Sequence, residues 1–184
     1  MARTPSTMVS LGTKAPDFIL PDTASGKQLS LNDIKGETGT MVMFICNHCP
    51  FVKHVNPELV KIANDYKNKG VGFVAISSND AINYPDDAPH LMKQVATQLK
   101  YPFPYLYDES QETAKAYDAA CTPDFFIYDK DIYLVYRGQL DDSRPGNEIP
   151  VTGKDIRNAL DCLITGQPVP EMQRPSIGCN IKWK

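Results

Sequence analysis

The chain has 184 residues, 42% hydrophobic and 22% charged, and its 19 Lys plus Arg against 22 Asp plus Glu leave a formal net charge of -3. That length suits one well-buried domain of roughly 100–200 residues, and the balance of apolar and charged residues excludes a disordered or fibrous chain. The slight acidity argues against nucleic acid or an anionic membrane as a partner, and no apolar run approaches the roughly 18 residues of a membrane span.

Met1 to Pro16 is polar and lacks the apolar stretch of a signal peptide, so the chain is expected to stay in the cytoplasm. From Leu11 to Gly36, Pro16, Pro21 and Ser25-Gly26 separate short apolar stretches, which predicts a small β-hairpin at the edge of the fold. Thr40 to Ile45 is continuously apolar, the pattern of a central strand covered on both faces. It runs straight into Cys46-Asn-His-Cys-Pro50. A helix is then predicted with Asn56 as cap and Pro57 in the first position, continuing through Leu59, Ile62, Ala63 and Tyr66 to a stop at Gly70. Val71 to Ile76 supplies a second buried strand, and the resulting β-α-β unit requires a parallel pair.

Further along, Leu91, Val95 and Leu99 mark a helix between Pro89 and Lys100, Phe103 to Tyr107 reads as a strand, and Glu109 to Ala119 as another helix. Phe125 to Tyr128 and Ile132 to Tyr136 flank Asp129-Lys-Asp131 as an antiparallel hairpin. A polar loop (Asp141 to Gly153, with Asp141, Asp142 and Arg144 expected to be solvated) precedes a last helix from Lys154 to Ile164, and the tail from Gly166 is expected to be irregular. The fold class is α/β, a central mixed sheet flanked by helices in a single domain over 1–184: an N-terminal hairpin extension (9–37), a core (38–165) and a tail (166–184).

The five cysteines, Cys46, Cys49, Cys121, Cys162 and Cys179, are an odd number, which points to thiols rather than a disulfide framework. A C-x-x-C between a buried strand and a helix sets both sulfurs in one turn at the positive end of the helix dipole, which stabilises a thiolate. On that logic Cys46 is the exposed nucleophile, Cys49 the resolving thiol, and His48 a neighbour that tunes the thiolate. The other reading of the same spacing is a purely structural pair. His54, His90 and Cys162 have ordinary structural readings: a solvated helix residue, part of a helix start, and a buried thiol on the last helix.

Ala15-Pro-Asp-Phe18 with Leu20-Pro-Asp22, Phe44-Ile-Cys-Asn-His-Cys-Pro50, Cys121-Thr-Pro-Asp-Phe-Phe126 and Ser176-Ile-Gly-Cys-Asn-Ile-Lys-Trp183 together resemble the thioredoxin-fold redoxins, the alkyl hydroperoxide reductase/thiol-specific antioxidant-like branch. The resemblance covers nearly the whole chain. It implies a thioredoxin-like fold and a thiol-disulfide oxidoreductase with Cys46 and Cys49 as the redox pair. It also implies that Pro123 is the cis-proline facing them, with Thr122 offering its backbone to a bound strand beside Asn47 and Pro50. The chain departs from thioredoxin in its Asn47-His48 dipeptide and in Thr40, which stands where an acidic residue is usual. Cys121 and Cys179 are candidates for an auxiliary redox role.

A peroxiredoxin-like peroxidase is the nearest alternative, but neither frame of P-x-x-x-T-x-x-C fits: Val42 and Cys46 stand before Cys49, and Gly39 and Met43 before Cys46, where proline and threonine are needed. Zinc or copper binding by Cys46, His48, Cys49, His54 and Cys121 lacks a second closely spaced ligand pair. No metal and no bound cofactor are expected. The expected partners are disulfide-containing proteins or small thiols and an electron donor or acceptor whose identity the sequence does not carry, as it does not carry the oligomeric state.

Overall fold

The computed structural model describes residues 3–184. In chain order the strands are β1 (Arg3–Pro5), β2 (Ile19–Pro21), β3 (Gln28–Ser30), β4 (Gly39–Phe44), β5 (Val71–Ser77), β6 (Tyr105–Tyr107), β7 (Cys121–Thr122), β8 (Asp124–Asp129), β9 (Leu134–Gly138) and β10 (Ile177–Asn180). The helices are α1 (Leu31–Ile34), α2 (Pro50–Tyr66), α3 (Pro89–Gln98), α4 (Glu112–Ala116) and α5 (Lys154–Thr165). The central sheet runs β6-β5-β4-β8-β9, with β4, β5 and β6 parallel and β8 and β9 antiparallel to their neighbours.

Every residue of β4 is buried, as its unbroken apolar run predicts, and its alternating side chains feed two cores. Met41, Met43 and Ile45 pack with residues of α2, α3 and α5. Val42 and Phe44 face the other way, onto Phe18 and Leu20 of the N-terminal extension, Leu31 of α1 and Ala114 of α4. Each large side chain so buried contributes roughly 1.5–3 kcal/mol, which anchors β4 ahead of the cysteines. The expected edge hairpin is formed by β2 and β3, with Leu20 opposite Leu29.

Several boundaries differ from expectation for reasons visible in the packing. Helix α2 starts at Pro50, not at Pro57; Cys49 is its N-cap and Pro50 occupies its first turn. The apolar stripe extends back through Val55 and Val52, and Asn56, expected as the cap, is buried and accepts a hydrogen bond from the Tyr101 hydroxyl at 2.9 Å. Pro57 therefore lies inside the helix, where it offers no N–H to the preceding turn. Helix α4 is reduced to Glu112–Ala116, preceded by Gln111 and followed by Asp118, both in the left-handed region.

The loop at 141–153 is not merely solvated. Asp141 is buried, and its carboxylate accepts the amides of Ser143 at 2.8 Å and of Thr152 and Gly153 at 2.7 Å each. The tail is not irregular throughout, because β10 lies between β1 and β7 in a second sheet, with Cys179 opposite Thr122 on one side and Arg3 on the other. Gly178 makes this possible: a Cβ there would meet the Thr122 carbonyl oxygen at 2.0 Å and Pro123 N at 3.0 Å. No helix among the described residues is long and apolar enough to cross a membrane.

Candidate active site

Strand β4 delivers the chain to the C-terminal end of the parallel strands, where the Ile45 amide still bonds Ile76 O at 3.0 Å; Cys46, Asn47 and His48 then turn into the α2 N-terminus at Cys49. The sequence leads one to expect an exposed Cys46. In the fold it is 2% exposed and Cys49 is 0% exposed, while Asn47 and His48 are half-buried and Pro50 is exposed. The loop is closed down onto the protein by a residue with no signal in the sequence beyond its turn-forming neighbours, Asp87.

Asp87 sits fully buried in a short 3-10 turn before α3. Its Oδ1 accepts the Asn47 amide at 2.7 Å and the His48 amide at 3.3 Å, while its Oδ2 lies 2.6 Å from His48 Nδ1 and 2.7 Å from Asn79 Nδ2. Burial alone would raise the Asp87 pKa, but the His48 and Asn79 hydrogen bonds outweigh it and hold the carboxyl below its ordinary value. The same bond to Asp87, working against burial, raises His48 toward its cationic form. The His48 ring stacks on Tyr84 at 5.8 Å between centroids, and Asn47 is tied by its Nδ2 to the Asp86 carbonyl at 2.8 Å.

The second wall of the site is the β7–β8 junction, where the Thr122–Pro123 peptide is cis. Cys46 Sγ and Thr122 Oγ1 lie 3.4 Å apart, and the Cys49 thiol donates to the Thr122 carbonyl at 3.1 Å. Thr122 does not present a free backbone edge to a partner: it is 2% exposed, and the chain's own β10 takes that edge. Pro123 is likewise buried, its carbonyl accepting the Ser176 hydroxyl at 2.7 Å. The C-terminal strand also brings Cys179 Sγ to 2.8 Å from Cys49 Sγ. Cys121 is fully buried, its sulfur 3.5 Å from the Pro123 carbonyl, and burial pushes its thiol far up.

The Cys46–Cys49 pair titrates as a unit. Its first proton leaves early, with Cys49 pulled from 9.0 to about 5 by the Cys46 S–H and, against burial, by the Cys179 S–H. Cys46 is pushed the other way by its bond to Cys49, by burial and by the Asp87 charge. The proton loss expected at Cys46 from its place before a helix is thus favoured at Cys49, toward which the Cys46 and Cys179 thiols donate. A depressed folded-state pKa contributes stability that is present above the unfolded value and lost as pH falls through the folded value. Between about pH 5 and pH 9 the reduced chain is therefore expected to gain stability with rising pH, a slope the disulfide form lacks. Urea melts of both forms across that window measure it, and Cys49→Ser is expected to flatten the reduced form's slope.

Cys46, His48 and Asp87 offer ligand atoms within 4.8 Å of one another, the group among the described residues best placed to hold a metal ion. Both Asp87 oxygens and His48 Nδ1 are already engaged with each other and with Asn47 and Asn79, so a cation would have to displace that network. The remaining candidates lie apart from the pair's hydrogen bonds. His54 Nε2 bonds Ser143 Oγ at 2.7 Å, His90 is exposed in the first turn of α3, and Cys162, expected to be buried, is half-buried on α5.

The Redoxin family model matches residues 10–156. A crystal structure of an uncharacterized conserved protein from Geobacillus kaustophilus is 64% identical, with a TM-score of 0.99 over 100% of this chain and 97% of that one. The thiol-disulfide oxidoreductase ResA of Geobacillus kaustophilus is 27% identical over 128 residues, 69% of this chain and 68% of that protein. The thioredoxin domain of a thiol-disulfide oxidoreductase from Bacteroides vulgatus shares the fold at 22% identity, with a TM-score of 0.60 over 70% of this chain and 88% of that one. The α/β architecture described above is the thioredoxin-like fold.

Proposed function

The chain belongs to the Redoxin family, and from that premise we propose that it is a thiol-disulfide oxidoreductase whose redox couple is Cys46 and Cys49. The observation that carries this reading is the hydrogen-bonded pair of thiols at the β4–α2 junction, seated against Thr122 and sharing one readily lost proton. Such a pair reacts by attack of one sulfur on a substrate disulfide to form a mixed disulfide, which the other sulfur then resolves. Cys46, which adjoins Asn47 and His48 in the turn, takes the first role, its proton passing to the Cys49 thiolate as its sulfur attacks and one substrate thiol leaves; Cys49, the N-cap of α2, takes the second.

The buried Thr122 edge leaves the rim of Asn47, His48, Pro50 and Tyr84 as the surface over which a substrate approaches. A small or flexible disulfide suits that rim better than a rigid strand that would need Thr122 for pairing. In an assay with dithiothreitol as reductant, the chain is expected to accelerate reduction of oxidised glutathione and of an unfolded disulfide protein. Stopped-flow reaction with hydrogen peroxide, read by thiol loss, is expected to be slow because neither cysteine has a threonine three positions before it, as P-x-x-x-T-x-x-C requires. A second-order rate with peroxide above about 10⁵ M⁻¹s⁻¹, within the range of efficient enzymes, together with no disulfide reduction would replace this function by a peroxidase.

A further inference from the structure

Cys179 is separated from Cys49 by 130 positions, yet their sulfurs lie 2.8 Å apart, inside van der Waals contact for two sulfurs that are not bonded. Both are shut away from solvent, at 0% exposure for Cys49 and 1% for Cys179. Neither sulfur needs an outside partner to reach the other.

The placement is built by the strand and its anchors. The missing side chain of Gly178 lets β10 press against the Thr122 carbonyl. On the near side of Cys179 the Ser176 hydroxyl donates to Pro123 O at 2.7 Å. On the far side the Ile181 amide donates to Ala120 O at 3.2 Å and the Lys182 amide to Asn79 Oδ1 at 2.8 Å. Asn79 in turn donates to Asp87, so the strand that carries Cys179 and the loop that carries Cys46 are bound to one network.

We propose that Cys179 is a third redox thiol, and that the oxidised chain exchanges its Cys46–Cys49 disulfide for a buried Cys49–Cys179 disulfide. The proposal rests on the Cys46–Cys49 couple described above. In the exchange the Cys179 sulfur, giving up its proton, attacks Cys49 Sγ; the Cys49–Cys179 bond forms as the Cys46–Cys49 bond breaks. The electron pair of the broken bond leaves on Cys46, which takes up the proton, so nothing is oxidised or reduced overall. The oxidising equivalents come from the substrate disulfide that first oxidised the couple. The consequence is an oxidised chain that again carries a Cys46 thiol at its rim while its disulfide is stored beneath. An external thiol reduces that stored bond through Cys46, by the reverse exchange.

The test is a disulfide map of the full chain. Reduced protein is oxidised with oxidised glutathione, quenched in acid, blocked with N-ethylmaleimide and digested without reductant, and bridged peptides are assigned by fragmentation. Wild type is expected to show both Cys46–Cys49 and Cys49–Cys179 bridges. Cys46→Ser, oxidised with diamide because no rim thiol remains, is expected to show Cys49–Cys179 and to resist reduction by glutathione. Gly178→Ala, which drives β10 off Thr122, is expected to keep Cys46–Cys49 and lose Cys49–Cys179; because this variant retains every cysteine, it reads the geometry even where Cys46→Ser does not fold. Cys46–Cys49 found alone in wild type overturns the third thiol and leaves the proposed couple standing. Cys49–Cys179 found with no Cys46–Cys49 at any time of oxidation overturns the couple and the exchange together.

Discussion

Cys46→Ser is expected to lower turnover of disulfide substrates by about three orders of magnitude or more, the scale on which removing an attacking nucleophile acts. Cys49→Ser is expected to stop turnover differently, by leaving the substrate joined to Cys46 as a mixed disulfide. The difference follows from position. Cys46 stands at the end of the loop that carries the rim residues Asn47 and His48, whereas Cys49 lies under the turn as the N-cap of α2, its sulfur occupied by the Thr122 carbonyl and Cys179. A serine at 49 cannot release the mixed disulfide, and Cys179, in contact with position 49 and not with the rim, is badly placed to replace it. Non-reducing gels after incubation with an unfolded disulfide protein check both variants. Trapping by Cys46→Ser and not by Cys49→Ser would reverse the order of attack, and equal trapping would abolish it.

The other large effect is expected at Asp87, a residue far from either cysteine in sequence. Asp87→Ala removes the acceptor shared by the Asn47 and His48 amides, His48 Nδ1 and Asn79 Nδ2. Each buried donor left without a partner costs about 1–3 kcal/mol. With Asn79 fully enclosed and His48 only partly so, a loss of about 3 kcal/mol in urea melts is expected. The pH dependence sorts this loss by its causes. His48, raised in the folded chain, contributes stability that is full below its ordinary value near 6.5 and lost as pH rises through its folded value. Asp87, lowered, contributes stability present above its ordinary value near 3.8 and lost as pH falls through its folded value. The gap between wild type and Asp87→Ala is therefore expected to be widest between those limits and to narrow on both sides. In the variant the His48 titration, followed by NMR, is expected to move down. A variant of unchanged stability with an unmoved His48 titration would mean that Asp87 does not hold the loop.

Much of the frame was legible because it is written in short-range pattern. The unbroken apolar run into Cys46 announces a strand covered on both faces, and the spacing of the two cysteines depends on a single turn of chain. The β5 strand, the β8–β9 hairpin and the last helix are legible for the same reason, since each buries a face whose period is visible within a dozen residues. At the start of α2 the local signals conflict. Asn56-Pro57 has the chemistry of a helix start, and only the burial of Val52 and Val55 decides in favour of Pro50.

What the sequence determined by itself is the α/β order and the presence of two neighbouring thiols ahead of a helix, because propensity and periodicity are local properties of the chain. Only the tertiary structure decided which groups surround those thiols. Asp87 is 40 positions from Asn47 and Cys179 is 130 from Cys49. No local pattern marks the role of Asp87, and the sequence singles out Cys179 as a candidate redox thiol without showing which sulfur it meets. They reach the site because β10 can lie against Thr122 where Gly178 has no side chain, and because a buried carboxylate must find donors and finds them in the Asn47–His48 turn. The enclosure of Cys46, the proton shared with Cys49 and the occupied Thr122 edge all follow from those two long-range contacts, whose chain-closure cost is met by packing that no short stretch of sequence encodes.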